Sequence, residues 1–194
     1  MNRINALIEQ LCPEGVEFKE LGEVTEVKRG RRVTKNELSP EKQYPVYSGG
    51  VTPMGYFDEY NQNANTITVV KYGTAGFVNF INEDFWANDV CYCIKPNNSL
   101  NNKYLFYILK NMQDFIQSQA TNAIPAHLPT EIIEGLKIPL PPLPIQQEIV
   151  NILDKFTQLE AELEAELEAE LESRKKQYEY YRGKLLDFKN INNG

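Results

Sequence analysis

The chain has 194 residues, room for one ordinary domain of about 150 residues plus an appendage. Its 42% hydrophobic and 11% aromatic content supplies a real core and excludes wholesale disorder. No stretch approaches the ~18 apolar residues of a membrane span and no leader pattern opens the chain, so a soluble, cytoplasmic protein with no membrane partner is expected.

The net charge of −7 argues against nucleic acid only as a sum. Lys28, Arg29, Arg31, Arg32 and Lys35 crowd into eight residues, whereas seven glutamates fill positions 160–172. A local basic patch can therefore still neutralise phosphates, although DNA affinity from this chain alone should be weak.

In chain order, Ile4, Leu7, Ile8 and Leu11 have helical spacing and end at Pro13-Glu14-Gly15. β-type runs follow at 23–28, 44–47, 66–72, 76–80 and 90–94, and Gly73-Thr74-Ala75 is a hairpin-length connection. A helix is expected over 103–119, with Leu105, Ile108, Leu109, Met112, Phe115 and Ile116 on one stripe and Asn97, Asn98, Ser99 and Asn101 as capping candidates. The proline-rich 138–144 reads as a stiff exit strap rather than a strand. The fold class expected is α+β: a compact mixed domain over 1–140, a hinge at 141–144 and a long helix over 145–190.

That helix carries a heptad pattern at Ile145, Ile149, Ile152, Phe156, Leu159 and Leu163. Leu163, Leu167 and Leu171 then recur every four residues within three tandem Glu-Ala-Glu-Leu copies, before Tyr178, Tyr181, Leu185 and Phe188 resume three-and-four spacing. Four residues advance about 400°, so each copy drifts ~40°, a stutter in the heptad. The full helix would span roughly 65 Å. Glu160, Glu164, Glu168 and Glu172 repel at i,i+4, and only Glu170–Arg174 and Glu172–Lys176 compensate. An apolar stripe this long implies a partner helix, with Ile149, Ile152, Phe156, Leu159, Leu163, Leu167, Leu171, Tyr178, Tyr181 and Leu185 as dimerisation candidates. The competing reading is a solvated acidic single helix.

Chemistry is hard to find. Cys12, Cys91 and Cys93 make no disulfide framework, and Cys91 and Cys93 share one strand face as small core residues. His127 is the sole histidine, so no metal site is expected. Neither a nucleophile elbow, a phosphate-binding P-loop nor a methyltransferase cofactor loop is present, so no catalytic residue and no cofactor are assigned.

What remains are polar loops suited to DNA. In Lys28-Arg29-Gly30-Arg31-Arg32 the glycine allows close backbone approach to a ligand, and the arginines can hold phosphates or read guanine edges; a solvated charged loop is the alternative. Ser48 and Gly49, and Lys71, Tyr72 and Thr74, lie in runs that read as exposed turns with donors for phosphates, or as plain turns. In the loop 120–127, Asn122 and His127 suit base edges, and a structural hydrogen bond serves His127 equally well.

The order of motifs resembles the specificity subunits of type I restriction–modification systems. The resemblance rests on Gly15-Val-Glu-Phe-Lys-Glu-Leu-Gly22, Tyr44-Pro-Val-Tyr-Ser-Gly-Gly50, Gly55-Tyr-Phe, Ile67-Thr-Val-Val-Lys-Tyr-Gly-Thr-Ala-Gly76 and Phe85-Trp86. Its most specific part is Ile138-Pro-Leu-Pro-Pro-Leu-Pro-Ile-Gln-Gln-Glu-Ile-Val150, which runs into Leu153-Asp154, the four-residue repeats and the 178–182 tail. The resemblance implies a non-catalytic reader of double-stranded DNA with target-recognition domains held apart by antiparallel helices. It implies partner methyltransferase subunits that use S-adenosylmethionine and methylate adenine, and a translocating, cleaving subunit that can join them. The chain departs from the pattern by holding one recognition domain and one helix, about half a usual subunit. A homodimer reading an interrupted palindrome repairs this; a fragment of a longer protein is the competing explanation, and a coiled-coil scaffold without sequence-specific DNA contact is the alternative function.

Overall fold

A computed structural model describes residues 2–121 and 123–188. The chain divides into two compact units, Met1–Val150 and Asn151–Gly194. In the first unit an amphipathic helix α1 (Asn2–Leu11) precedes strand β1 (Phe18–Glu20), a single helical turn α2 (Leu21–Val24) and strand β2 (Thr25–Arg29). Strands β3 (Tyr44–Tyr47), β4 (Tyr56–Phe57), β5 (Thr66–Val70), β6 (Val78–Ile81), β7 (Trp86–Ala87) and β8 (Cys91–Pro96) follow. Helices α3 (Asn102–Asn111), α4 (Gln113–Ser118) and α5 (Thr130–Glu134), strand β9 (Lys137–Pro139) and the long helix α6 (Leu143–Leu186) complete the order.

The centre is an antiparallel sheet in the order β2-β8-β5-β6. Strand alternation sends Ile67, Val69, Tyr92 and Ile94 to one face, where they meet Leu105, Leu109 and Ile116 of α3 and α4 and Leu128 and Ile133 in the main core. Cys93 instead joins Ile81, Phe85 and Ala87 in a smaller cluster. A second sheet, β4-β3-β7, holds Val46 and Trp86 against Val33. All three cysteines are free and buried.

Three expectations are corrected. The expected strand at 23–28 begins only at Thr25, because Leu21 and Val24 turn into the core as helix. The helix expected over 103–119 breaks at Met112, where φ is −89° and ψ is 2°. The break places Gln113 so that its side chain accepts the Val78 N–H at 3.0 Å, and it leaves Phe115 exposed rather than on the buried stripe. The N-cap is Asn101, which accepts the Tyr104 N–H. The third correction concerns the proline strap: its start is strand β9, antiparallel to β1 with Lys19 opposite Ile138. Pro139 is tolerated because this two-stranded ribbon is short and its neighbour Leu140 donates instead, to the Glu17 carbonyl at 2.8 Å.

The first two turns of α6 belong to the first unit. Ile145 and Val150 are buried there and Ile149 packs on the main core, so the opening of the heptad pattern serves this domain. Gln146 is fully buried: its Oε1 accepts the Asn101 N–H at 2.7 Å, and its Nε2 donates to the carbonyls of Pro141 and Ser99.

In the second unit α6 continues as a bare helix. Phe156, Leu159, Leu163, Leu167, Leu171, Tyr178, Tyr181 and Leu185 are all exposed, between 51% at Tyr181 and 70% at Leu185, while Ile152 is half-buried. The two expected compensating pairs form, Arg174–Glu170 at 3.4 Å and Lys176–Glu172 at 2.7 Å. Among the described residues no helix is long and apolar enough to cross a membrane.

Candidate nucleic-acid interface

The expected basic segment splits between two faces. Side chains alternate along β2, so Lys28 and Arg29 leave on opposite sides of the sheet. Lys28 pairs with Glu26 at 2.7 Å and lines a polar cavity of about 540 Å³ with Asn61, Asn65 and Asn102. Arg29, opposite Tyr92 in the register, has no ion pair among the described residues.

The segment after Arg29 is not a free loop. Gly30 lies where a Cβ would sit 2.0 Å from the Ala87 carbonyl oxygen, so the backbone approached there is residues 87–88, not a ligand. The Arg31 N–H donates to the Ala87 carbonyl at 2.9 Å, and the Arg31 carbonyl accepts the Trp86 indole N–H at 2.7 Å. Asn88, buried, donates to the Val33 carbonyl at 3.1 Å. This anchoring leaves the Arg31 and Arg32 side chains exposed on a fixed backbone. Lys35 opens a 3₁₀ turn (Lys35–Glu37) closed by a capping box in which Thr34 donates its N–H and hydroxyl to Glu37. Those bonds hold the Glu37 carboxyl below the usual carboxylate range.

The turns at 48–50 and 71–74 meet backbone to backbone. A Cβ on Gly49 would stand 2.5 Å from the Tyr72 carbonyl oxygen, and one on Gly73, at φ +96°, would stand 2.5 Å from the Gly49 carbonyl oxygen. Thr74 donates both its N–H and its hydroxyl to that Gly49 carbonyl, at 2.9 and 3.1 Å. Cys91 donates its thiol to the Ser48 carbonyl at 3.0 Å. Gly49, Gly73 and Thr74 are thus first a clasp between two turns.

Lys71 was expected on an exposed turn and is only 5% exposed. The β5 path carries it inward: its N–H donates to the Val90 carbonyl and its carbonyl accepts the Leu128 N–H. The ammonium lies 5.3 Å from the Tyr72 ring centroid and 5.4 Å from that of Tyr92. Burial first, and Arg29 second, push its pKa below the ordinary lysine value; Glu131 opposes them. Tyr92 is fixed beneath it by donating to the Leu128 carbonyl at 2.8 Å and by a 3.0 Å bond with the Thr130 hydroxyl. Tyr72 stacks on His127 at 5.6 Å and 23°, and Nδ1 of His127 shares a 2.8 Å hydrogen bond with the Thr121 hydroxyl. Asn122 lies outside the described residues.

Arg29, Ser48, Gly49, Lys71, Tyr72, Thr74 and His127 therefore lie together: an exposed and a buried cation without an ion pair among the described residues, a stacked aromatic pair, and a clasp of two turns exposed at residues 73–74. Tyr92 and Thr121 organise it through the Leu128 carbonyl and His127 Nδ1, and neither a tyrosine in an apolar strand nor a threonine in a polar loop signals its partner locally. Among the described residues no group of three or more His, Cys, Asp or Glu side chains could hold a metal ion.

Comparison with known proteins identifies the family of this fold. A family model described as type I restriction modification DNA specificity domain matches residues 13–173. The chain belongs to this family. A protein of Haemophilus influenzae that carries the name of a type I restriction enzyme specificity subunit is 38% identical over 186 residues, covering 91% of this chain and 48% of that protein. The type I restriction enzyme MpnII specificity subunit of Mycoplasma pneumoniae is 30% identical over 172 residues, covering 86% and 51%. The chain spans about half the length of these relatives. Among solved structures, the type I restriction–modification S subunit from M. genitalium superposes with a TM-score of 0.67 at 24% identity, over 74% of this chain and 40% of that one. The HsdS subunit from Thermoanaerobacter tengcongensis gives 0.59 at 21%, over 80% and 42%. At these identities the structures establish the fold of the specificity-domain family: mixed sheets followed by a long helix.

Proposed function

We propose that the chain is a sequence-specific DNA recognition subunit of a type I restriction–modification assembly, directing adenine methylation, and cleavage where a translocating subunit joins, by partner subunits. The chain itself performs no chemistry in this reading; the S-adenosylmethionine belongs to the methyltransferase. The observation that carries the proposal is the face around Arg29 and the Tyr72–His127 stack, set on a domain of the specificity family. Exposed Arg31, Arg32 and Lys35 beside it supply phosphate contacts. Lys71, too buried to reach far, positions Tyr72 and raises the local positive potential.

The proposal includes a homodimer with two-fold symmetry, in which the exposed stripe of α6 covers a second copy of itself and each copy reads one half of an interrupted palindrome. Each Glu-Ala-Glu-Leu copy adds about 6 Å of helix, so repeat number sets the gap. Mapping adenine methylation in cells that carry the methyltransferase gene, with and without this chain, tests the reading. A two-fold symmetric interrupted motif that appears only with the chain is expected. An unchanged methylation pattern would favour the coiled-coil scaffold.

A further inference from the structure

The second unit shows a segregation of charge that its own helix does not resolve. Glu170 and Glu172 pair with Arg174 and Lys176 one turn away. Glu160 and Glu162 have no such base one turn away, and among the described residues Glu162 accepts from Gln158, at 2.8 Å. At the other end Arg182 and Lys184 lie over the rings of Tyr178 and Tyr180 with no ion pair among the described residues. A parallel partner would run seven glutamates beside seven glutamates. A reversed partner brings acid to base.

The apolar stripe narrows the reversed alignments to a few that differ by whole heptads, because reversing a helix sets each a position across from a d position. One of them faces Leu159 with the partner's Leu185, Leu163 with the partner's Tyr181 and, one residue out of step through the stutter, Leu167 with the partner's Tyr178. Its flanking positions then match Glu160 with the partner's Arg182 and Glu162 with the partner's Lys184. Sliding by one heptad faces Leu159 with the partner's Tyr178 and keeps one match, Glu160 with the partner's Lys175, but sets Lys155 against the partner's Lys184. Sliding by two sets Glu162 against the partner's Glu170. Sliding the other way pushes Leu159 past the helix end at Leu186.

We propose that two copies of α6 pair antiparallel about an axis at Glu172, with Glu160 and Glu162 of each copy bonded to Arg182 and Lys184 of the other. The unneutralised charges at the two ends of this helix are partners held for a second copy. The inference rests on the homodimer proposed above and fixes its register. Flanking charges select alignment more than they add affinity, which suits a helix whose stutter leaves the apolar seam tolerant of slippage.

Crosslinking of the full-length chain tests it. The double variant Leu159→Cys/Leu185→Cys, treated with a short bis-maleimide, should form covalent dimers at least tenfold faster than either single variant. The two sites are roughly 39 Å apart on one helix, so the link can only be between copies. Background is the unmodified chain, whose three cysteines are buried. Preferential linking of Leu159→Cys/Tyr178→Cys, of Leu159→Cys/Leu171→Cys, or of Leu159→Cys alone would overturn the register while leaving the dimer intact. So would a dimeric mass in solution with no link at any pair. A monomeric mass at micromolar concentration with no links would overturn the dimer as well.

Discussion

At the scale of single residues, glycines and thiols carry consequences that their types do not announce. Gly49 and Gly73 are legible as turn residues, but that the Tyr72 carbonyl fills the side-chain space of one and the Gly49 carbonyl that of the other is a tertiary fact. Gly49→Ala or Gly73→Ala should each cost about 1–3 kcal/mol in urea unfolding, through forced backbone shifts. Gly50→Ala, whose Cβ would meet nothing nearer than 3.8 Å, should cost no more than a few tenths. Cys91 and Cys93 were readable as core residues from their spacing, and burial pushes both thiols up to about 12. The fold thereby favours the neutral thiol. That contribution is whole below the ordinary value of 9.0 and is lost as pH climbs toward 12. Native protein at pH 8 should therefore resist iodoacetamide at both positions by mass spectrometry, and denatured protein should label fully. Arg31 and Arg32 stand exposed on anchored backbone, so alanine at both should lower the salt slope of DNA binding by about 1–2 units, whereas Lys28→Ala, already paired with Glu26, should leave it unchanged.

At the scale of elements, periodicity and length decided what a sequence reading can reach. Helix α1, strand β3, the β5–β6 pair and α6 carry patterns long enough to read. Strands β4 and β7 have two residues each and no period at all; they exist because Val46 and Trp86 need a shared cover. The β1–β9 ribbon joins segments more than a hundred residues apart in sequence, which no local signal encodes. Of the candidate site, the 71–74 turn and His127 were legible, whereas the burial of Lys71 and the separation of Lys28 from Arg29 were not, since both depend on which sheet face is covered. Gln146 belongs to this scale too. Its three hydrogen bonds tie the start of α6 to the turn before α3 and to the proline strap. Gln146→Ala strips partners from a buried N–H and two carbonyls, and should cost about 2–4 kcal/mol in urea unfolding. Glu26→Ala, whose 2.7 Å bond to Lys28 is solvated on both sides, should cost under about 1 kcal/mol.

At the scale of the whole molecule, the first unit offers a face with few charges, and the second a long exposed apolar stripe. In the proposed function neither suffices alone: a face with so few cations would hold DNA weakly, and the stripe calls for a second helix. In that proposal the helix is a ruler between two readers. Removing one Glu-Ala-Glu-Leu copy, residues 164–167, shortens each helix by about 6 Å and rotates what it carries by ~40° relative to a whole turn. DNA advances about 3.4 Å and roughly 34° per base pair, so the unspecified gap must change while the half-sites stay as they were. Methylation mapping of this deletion variant beside the parent, each with the methyltransferase partner, tests that claim most directly. The same two half-sites at an altered spacing are expected; an unchanged motif with full methylation would contradict the ruler.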